Sequence, residues 1–367
     1  MPSRRFVLAA LCAAPTGLVV GEAAAAEEAV PGAGVPAAIR LPADFGAHPA
    51  SGIEWWYVTG ALESGPRLWG FQITFFRTRT TVPRDHPSRF AARQLLFAHA
   101  AVSDLDARRL RHDQRIARSG FAIAETSERD TALVLDRWRL TRTDVAGGSR
   151  YAAHATSDDA GFAFDLALDA TQPVLLQGRG GVSRKGPQPA STSRYYSEPQ
   201  LAVSGTLALD GKASAVGGRA WLDHEWSDSY LEADAVGWDW IGMNLDDGGA
   251  LMAFRMRRND GSTLWAGGSH RAAGGATRDF GADEVSFVPG RAWTSPVSGA
   301  RYPVEWQVAT PAGRFLVRAL LEAQELDSRA STGAIYWEGL ALLSDAAGRR
   351  VGRGYLEMTG YAARLVL

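Results

Sequence analysis

Two neighbouring motifs, Trp221-Leu-Asp-His-Glu-Trp226 and Gly237-Trp-Asp-Trp240, bring together one histidine, three carboxylates and four of the chain's 12 tryptophans. Aromatic walls carrying a few ionisable groups suit a site that holds an apolar molecule and moves a proton on it. Alternate side chains of an extended strand share a face. His224 therefore lies with Leu222 and Trp226, while Trp221, Asp223 and Glu225 face the other way. Asp239 shares its face with Ile241, Met243 and Leu245, and Trp238 and Trp240 oppose it. The expectation is an imidazole and a carboxylic acid aimed into one aromatic chamber. An acid among apolar neighbours is pushed up in pKa and becomes a proton donor near neutral pH. His224, Asp239 and Trp226 are the candidate catalytic residues. Trp238 and Trp240 are candidate walls that steady a developing cation through their π faces, and Glu225 is a candidate for orienting water. The plainer alternative is a hydrogen-bonded core histidine and an aspartate that accepts from an indole N–H.

A second cluster is Glu54-Trp-Trp-Tyr57, in which Glu54, Trp56 and Val58 share a face. Glu54 and Trp56 are candidate ligand contacts, and Arg77 is placed to neutralise Glu54. In the strand that ends at Arg77, Phe71, Ile73 and Phe75 form the expected core face, with Gln72, Thr74 and Phe76 opposite. His99 reads as a structural histidine, and Tyr195, Tyr196, Tyr355 and Tyr361 read as wall or packing residues, Tyr196 being a further ligand-contact candidate.

Other chemistries lack their signatures. No Gly-x-Ser-x-Gly elbow occurs. His224-Glu225 begins like a zinc-protease helix, but Asp228 stands where the second histidine belongs. Asp223, Glu225, Asp228 and Asp234 follow no calcium-loop spacing. No glycine loop for a phosphate or dinucleotide opens a helix. The expectation is no metal and no cofactor.

The elements that must position these groups are strands. Short apolar-alternating runs separated by Gly, Asp, Asn and Pro recur from Trp55–Leu62 to Gly354–Tyr361, and sustained helical periodicity is absent beyond the N-terminal segment. Many strands with little helix favour barrels or sandwiches. The connection Gln177 to Ser193, rich in Gly and Pro, reads as a lid or a disordered segment.

At 367 residues, 46% hydrophobic and 22% charged, the composition is that of an ordinary globular chain long enough for two domains. A net charge of -1 gives no overall electrostatic case for nucleic acid or an anionic membrane. Arg4 and Arg5 precede an apolar run from Phe6 to Val20, and Ala24-Ala25-Ala26 offers a cleavage site. Residues 1–26 are therefore expected to be a signal peptide with a faint twin-arginine character, and 27–38 a linker. The run is short for a membrane span. Cys12, the single cysteine, would leave with the signal, so the mature chain would hold no disulfide or thiolate. The expected location is periplasmic or secreted, with no integral membrane segment after cleavage.

Taken in order, Glu54-Trp-Trp-Tyr57, Gly70-Phe-Gln-Ile-Thr-Phe-Phe-Arg77, Phe97-Ala-His-Ala100, Tyr195-Tyr-Ser197, the two tryptophan motifs, Tyr336-Trp-Glu-Gly339 and Gly354-Tyr-Leu-Glu357 resemble the carotenoid 1,2-hydratase (hydroxyneurosporene synthase) family, in its exported, lipocalin-like, AttH-like branch. The resemblance spans about His48 to Tyr361. It implies an all-β chain of two tandem lipocalin-like antiparallel barrels, set here at 39–228 and 229–367, with an apolar ligand near their junction. It also implies a histidine, a nearby tryptophan and a downstream aspartate that add water to an isolated alkene. His224 and Trp226 match the first two. Asp239 is the candidate third, at a shorter spacing than in the carotenoid enzymes. The expected partner is a polyene, terpenoid or other hydrophobic small molecule, and the expected activity is that of a cofactor-independent hydratase. The alternative is a non-catalytic carrier that delivers a lipid at the membrane side.

Overall fold

Alternation of aromatic or β-branched residues with polar ones, interrupted every eight to twelve positions by turn residues, makes strands that pair with their neighbours in sequence. The structure, a computed structural model, describes residues 38–83, 85–228 and 231–365. The expected signal peptide, Cys12 and nearly all of the expected linker lie outside these residues. Among the described residues there is no α-helix, only two short 3-10 turns, and no helix long and apolar enough to cross a membrane.

Two large antiparallel sheets carry the fold. The first runs in the order Arg109–Arg118, Gln94–Asp104, Arg67–Arg79, Ile53–Ser64, Lys212–Ser227, Thr192–Leu209, Phe162–Asp169, Gly148–Ser157, Trp138–Val145, Ala132–Leu135, Ala124–Thr126. It curls into a nearly closed barrel, in which the guanidinium of Arg115 on one edge strand lies 4.9 Å over the Trp138 ring near the other. The second sheet is centred on Gly237–Leu245, which lies between Ala250–Arg257 and Arg350–Met358, the last paired in turn with Ala334–Asp345.

Each sheet has its own core, and a third apolar cluster lies between the sheets. Trp56, Val58, Phe71, Ile73, Phe75 and Leu222 fill the first barrel, as the alternation predicts. Ile241, Met243, Trp306, Trp337 and Leu356 fill the second. The strands Ile53–Ser64 and Lys212–Ser227 show their other faces, with Tyr57, Ala61 and Trp221, to Trp240, Met252, Phe254, Leu340 and Tyr355 of the second sheet. A fully buried side chain of this size contributes roughly 1.5–3 kcal/mol, so this junction is a substantial part of the stability. Gly70 lets the two sheets approach: a Cβ there would stand 2.7 Å from the Tyr355 hydroxyl and 3.1 Å from Leu340.

The Gly- and Pro-rich connection is ordered. Val182–Arg184 pairs with the Thr192–Leu209 strand. Gln177 donates to Ser197 Oγ at 2.8 Å and accepts from Ser269 of the second sheet at 2.7 Å. The buried Lys185 ammonium lies 2.9 Å from Glu225.

Candidate functional site

Strand parity sends Glu54, Trp56, His224 and Trp226 into the first barrel. Glu54 is the register partner of Trp226, and Trp56 is that of His224. The Glu54 carboxylate accepts from His224 Nε2 at 2.9 Å, from His48 Nδ1 at 2.8 Å and from Arg77 Nε at 2.7 Å. Tyr196 lies against the other imidazole nitrogen, its hydroxyl 3.1 Å from His224 Nδ1. Trp56 stacks on the His224 ring at 4.5 Å, and Trp226 on the His48 ring at 3.7 Å. Burial by itself raises the Glu54 pKa, but the hydrogen bonds from His224 and His48 and the charges of His224 and Arg77 hold it at about 2. Burial pushes the His224 imidazole below its ordinary value, against the pull of Glu54. Five candidates from the sequence (His224, Trp226, Glu54, Trp56 and Tyr196) thus meet in one place, and Arg77 neutralises Glu54 as expected.

Asp239 is elsewhere. It points into the second core, where Arg255 Nε donates to it at 2.7 Å and the Tyr361 hydroxyl at 2.8 Å, with Arg257 at 3.7 Å. The expected chamber shared by His224 and Asp239 is therefore corrected. Both residues point into a core, but the cores belong to different sheets, and the junction layer of Trp221, Tyr195 and Trp240 lies between them. The expectation of an unpaired acid among apolar neighbours is corrected as well, because a guanidinium partners the carboxylate.

The remaining candidates, Trp238, Trp240 and Glu225, face the junction. There the sheets line a partly open cavity of about 190 Å³ with mostly apolar walls, including Ile53, Trp55, Phe76, Phe97 and Trp238. Two carboxyls enter it from the second sheet. Glu338 and Glu357 are direct partners on adjacent antiparallel strands; Glu338 is buried and Glu357 is partly buried at the cavity wall. No partner meets the oxygens of Glu338 in good hydrogen-bonding geometry, and the hydroxyls of Tyr57 and Tyr336 and the Gln72 amide lie beside them. Burial, and then the charge of Glu357, pushes the Glu338 carboxyl well above the usual range. Burial likewise raises Glu357 to about 7, opposed by a hydrogen bond from Trp238 Nε1 at 3.1 Å and helped by the charges of Asp223 and Glu225. Both carboxyls are thus held more readily protonated than usual, and their different surroundings can separate a proton donor from a proton acceptor.

Further polar groups lie near this pair. His99 sits between the Tyr336 hydroxyl at 2.7 Å and Ser331 Oγ at 2.9 Å, and burial lowers its imidazole to about 3, so it is neutral. Asp223, which accepts from Tyr195, Ser197 and Trp221, is raised to about 7 chiefly by burial. Sequence reasoning did not assign roles to Glu338, Glu357, Asp223, Tyr57 or His48. The signal for the first two was present: Tyr336 and Glu338 share one strand face, as do Tyr355 and Glu357.

His48, Glu54 and His224 also offer ligand atoms within 4.8 Å of one another, a donor set that suits zinc or iron. The carboxylate, however, is already saturated by both imidazoles, Arg77 and the His48 backbone N–H. A buried guanidinium 2.7 Å from the would-be ligand opposes a dication, so the node is complete as a hydrogen-bonded network.

A family model described as AttH-like matches residues 33–361. A Nitrosomonas europaea protein assigned as AttH has a similar structure, with a TM-score of 0.81 and 48% identity over 90% of this chain and 98% of that one. Kievitone hydratase from Nectria haematococca shares the fold at a TM-score of 0.67 and 16% identity, covering 89% of this chain and 94% of that one. CghA, solved with Sch210972, shares it at 0.53 and 13% identity, covering 85% and 89%. No curated protein matches the sequence.

Proposed function

The chain belongs to the AttH-like family, and from that footing we propose that it is an acid–base enzyme that adds water to a carbon–carbon double bond of an apolar molecule held between its two sheets. The observation that carries this reading is the juxtaposed Glu338–Glu357 pair on the wall of a mostly apolar cavity. Glu338, protonated, donates its proton to one alkene carbon. Trp55 and Trp238 line the cavity where positive charge develops on the other carbon, and an indole face stabilises such a charge by about 0.5–2 kcal/mol. Water adds to that carbon and loses a proton to the Glu357 carboxylate. Proton exchange within the pair returns Glu338 to its acid form. The reaction consumes one water, balances in protons and needs no electron carrier. A fold shared with a hydratase supports the reaction class.

The cavity also limits the substrate. Its 190 Å³ is little more than the roughly 150 Å³ of an engineered cavity that takes benzene. A terpenoid fragment or a single ring fits inside, and of a long carotenoid-like polyene only one end would enter. The His48–Glu54–His224 node and Asp239 are then architectural groups, the first bracing the strands that also carry Trp55 and Tyr57. The leader-like N-terminus supports a periplasmic or secreted location, and lipocalin-like barrels at 39–228 and 229–367 remain our reading of its domains.

Incubation with geraniol in heavy-oxygen water, followed by mass spectrometry, tests the proposal. A product heavier by one labelled water, absent with Glu338→Gln, is expected. A neutral fluorescent probe such as N-phenyl-1-naphthylamine that binds tightly, with no labelled product from geraniol or longer isoprenoids, would overturn hydration. It would favour the carrier, in which the same neutral carboxyls anchor a head group.

A further inference from the structure

We propose that the chain docks on an anionic lipid bilayer through an arginine-flanked aromatic patch beside the mouth of the cavity. Phe90 is 60% exposed and Phe121 41%, and their rings stack at 5.5 Å with planes 5° apart. Arg118 lies over both rings, at 4.5 Å from Phe121 and 5.2 Å from Phe90, and Arg89 approaches both at 5.7 and 5.8 Å. Among the described residues, neither arginine forms an ion pair with a carboxylate, although both lie at the surface. Glu125, in the strand just after Phe121, accepts from the Ala122 backbone N–H.

Backbone geometry makes the display deliberate. Phe121 holds φ at 65°, a left-handed conformation that a bulky side chain rarely adopts. The strain persists where the surroundings impose it, and such strain clusters at functional sites.

Continuity with the cavity gives the patch its direction. Ile116, 47% exposed, is the register partner of Phe97, and Arg118 is that of Leu95, so these four side chains share one face of the sheet. Phe97 is itself a wall of the cavity. An apolar track therefore leads from Phe90 and Phe121 past Ile116 to Phe97. Aromatic rings at the headgroup level with arginines beside them are the chemistry of interfacial anchoring to anionic lipid. A net charge of -1 does not oppose this, because screening confines the attraction to about a Debye length around the patch.

Flotation of the full chain with phosphatidylglycerol-containing vesicles, and with phosphatidylcholine vesicles as a control, is the test. It reads binding without turnover, so its outcome is separate from that of the hydration proposal. Binding to the anionic vesicles should weaken with salt and fall at least ten-fold in Phe90→Ser/Phe121→Asn, asparagine being suited to the left-handed backbone. It should fall about five-fold for each of Arg89→Gln and Arg118→Gln. Val297→Ser, at an exposed apolar residue elsewhere, should leave it unchanged. Absence of flotation by the wild type, or flotation indifferent to these substitutions in variants with unchanged circular dichroism, overturns the proposal. So does a dimer, seen by sedimentation without lipid binding, that the phenylalanine substitutions dissolve.

Discussion

Glu338 and Glu357 stand directly opposite one another across two paired strands, the first buried and the second partly buried. Two like charges in this relationship destabilise a sheet, which favours protonation and agrees with the raised pKa of both groups. The arrangement predicts function because it is costly as mere structure.

Replacing either carboxyl tests the division of labour. Glu338→Gln should lower turnover by about 10²–10⁴-fold, the usual scale of a general acid, while N-phenyl-1-naphthylamine binding is retained. Glu357→Gln should lower kcat similarly and abolish the pH dependence near 7. Labelled-water product analysis with the two variants checks both.

The same pair makes stability depend on pH. Glu357 is raised from 4.5 to about 7, so the folded protein binds its proton more tightly than the unfolded chain. Stability from this group is complete below pH 4.5 and is lost as pH rises toward 7. Glu357→Gln should therefore match the wild type at pH 4 and exceed it at pH 8 by on the order of 2–4 kcal/mol. Urea denaturation at the two pH values provides the comparison, and an unchanged difference would refute it.

Glu54 behaves in the opposite way. Its pKa is held at about 2, so its contribution is present above 4.5 and lost as pH falls toward 2. Glu54→Gln leaves the buried Arg77 guanidinium unpaired and should destabilise by roughly 3–5 kcal/mol. The double variant Glu54→Gln/Arg77→Met should recover part of that loss in guanidinium melts.

Asp239→Asn separates architecture from chemistry. Loss of the ion pair with Arg255 should cost roughly 3–5 kcal/mol of stability while leaving turnover of the folded enzyme within about two-fold, the scale at which no catalytic contact is lost. A collapse of kcat without a fall in melting temperature would return Asp239 to the reaction.

How much was legible in the sequence follows from what strand parity encodes. Parity correctly grouped Phe71, Ile73 and Phe75 as core, placed His224 with Trp226, and allowed the Glu54–Arg77 pairing. It states which residues share a face, not which core that face meets. The strands bearing His224 and Asp239 are consecutive in the chain yet belong to different sheets, so two correct faces gave a wrong chamber. Parity marks Glu338 and Glu357 each as sharing a face with a tyrosine, but their juxtaposition depends on register across a turn, which alternation alone does not fix.

The strand Ile53–Ser64 turns Glu54 and Trp56 one way and Trp55 and Tyr57 the other. Substitutions at odd and even positions are thereby uncoupled: a lineage can swap ligands by editing Trp55 or Tyr57 without disturbing the bracing lattice behind them. Insertion of a single residue ahead of Glu54 would exchange the two rows and forfeit both at once, so diversification along this wall is expected to proceed by replacement, with lengths kept constant.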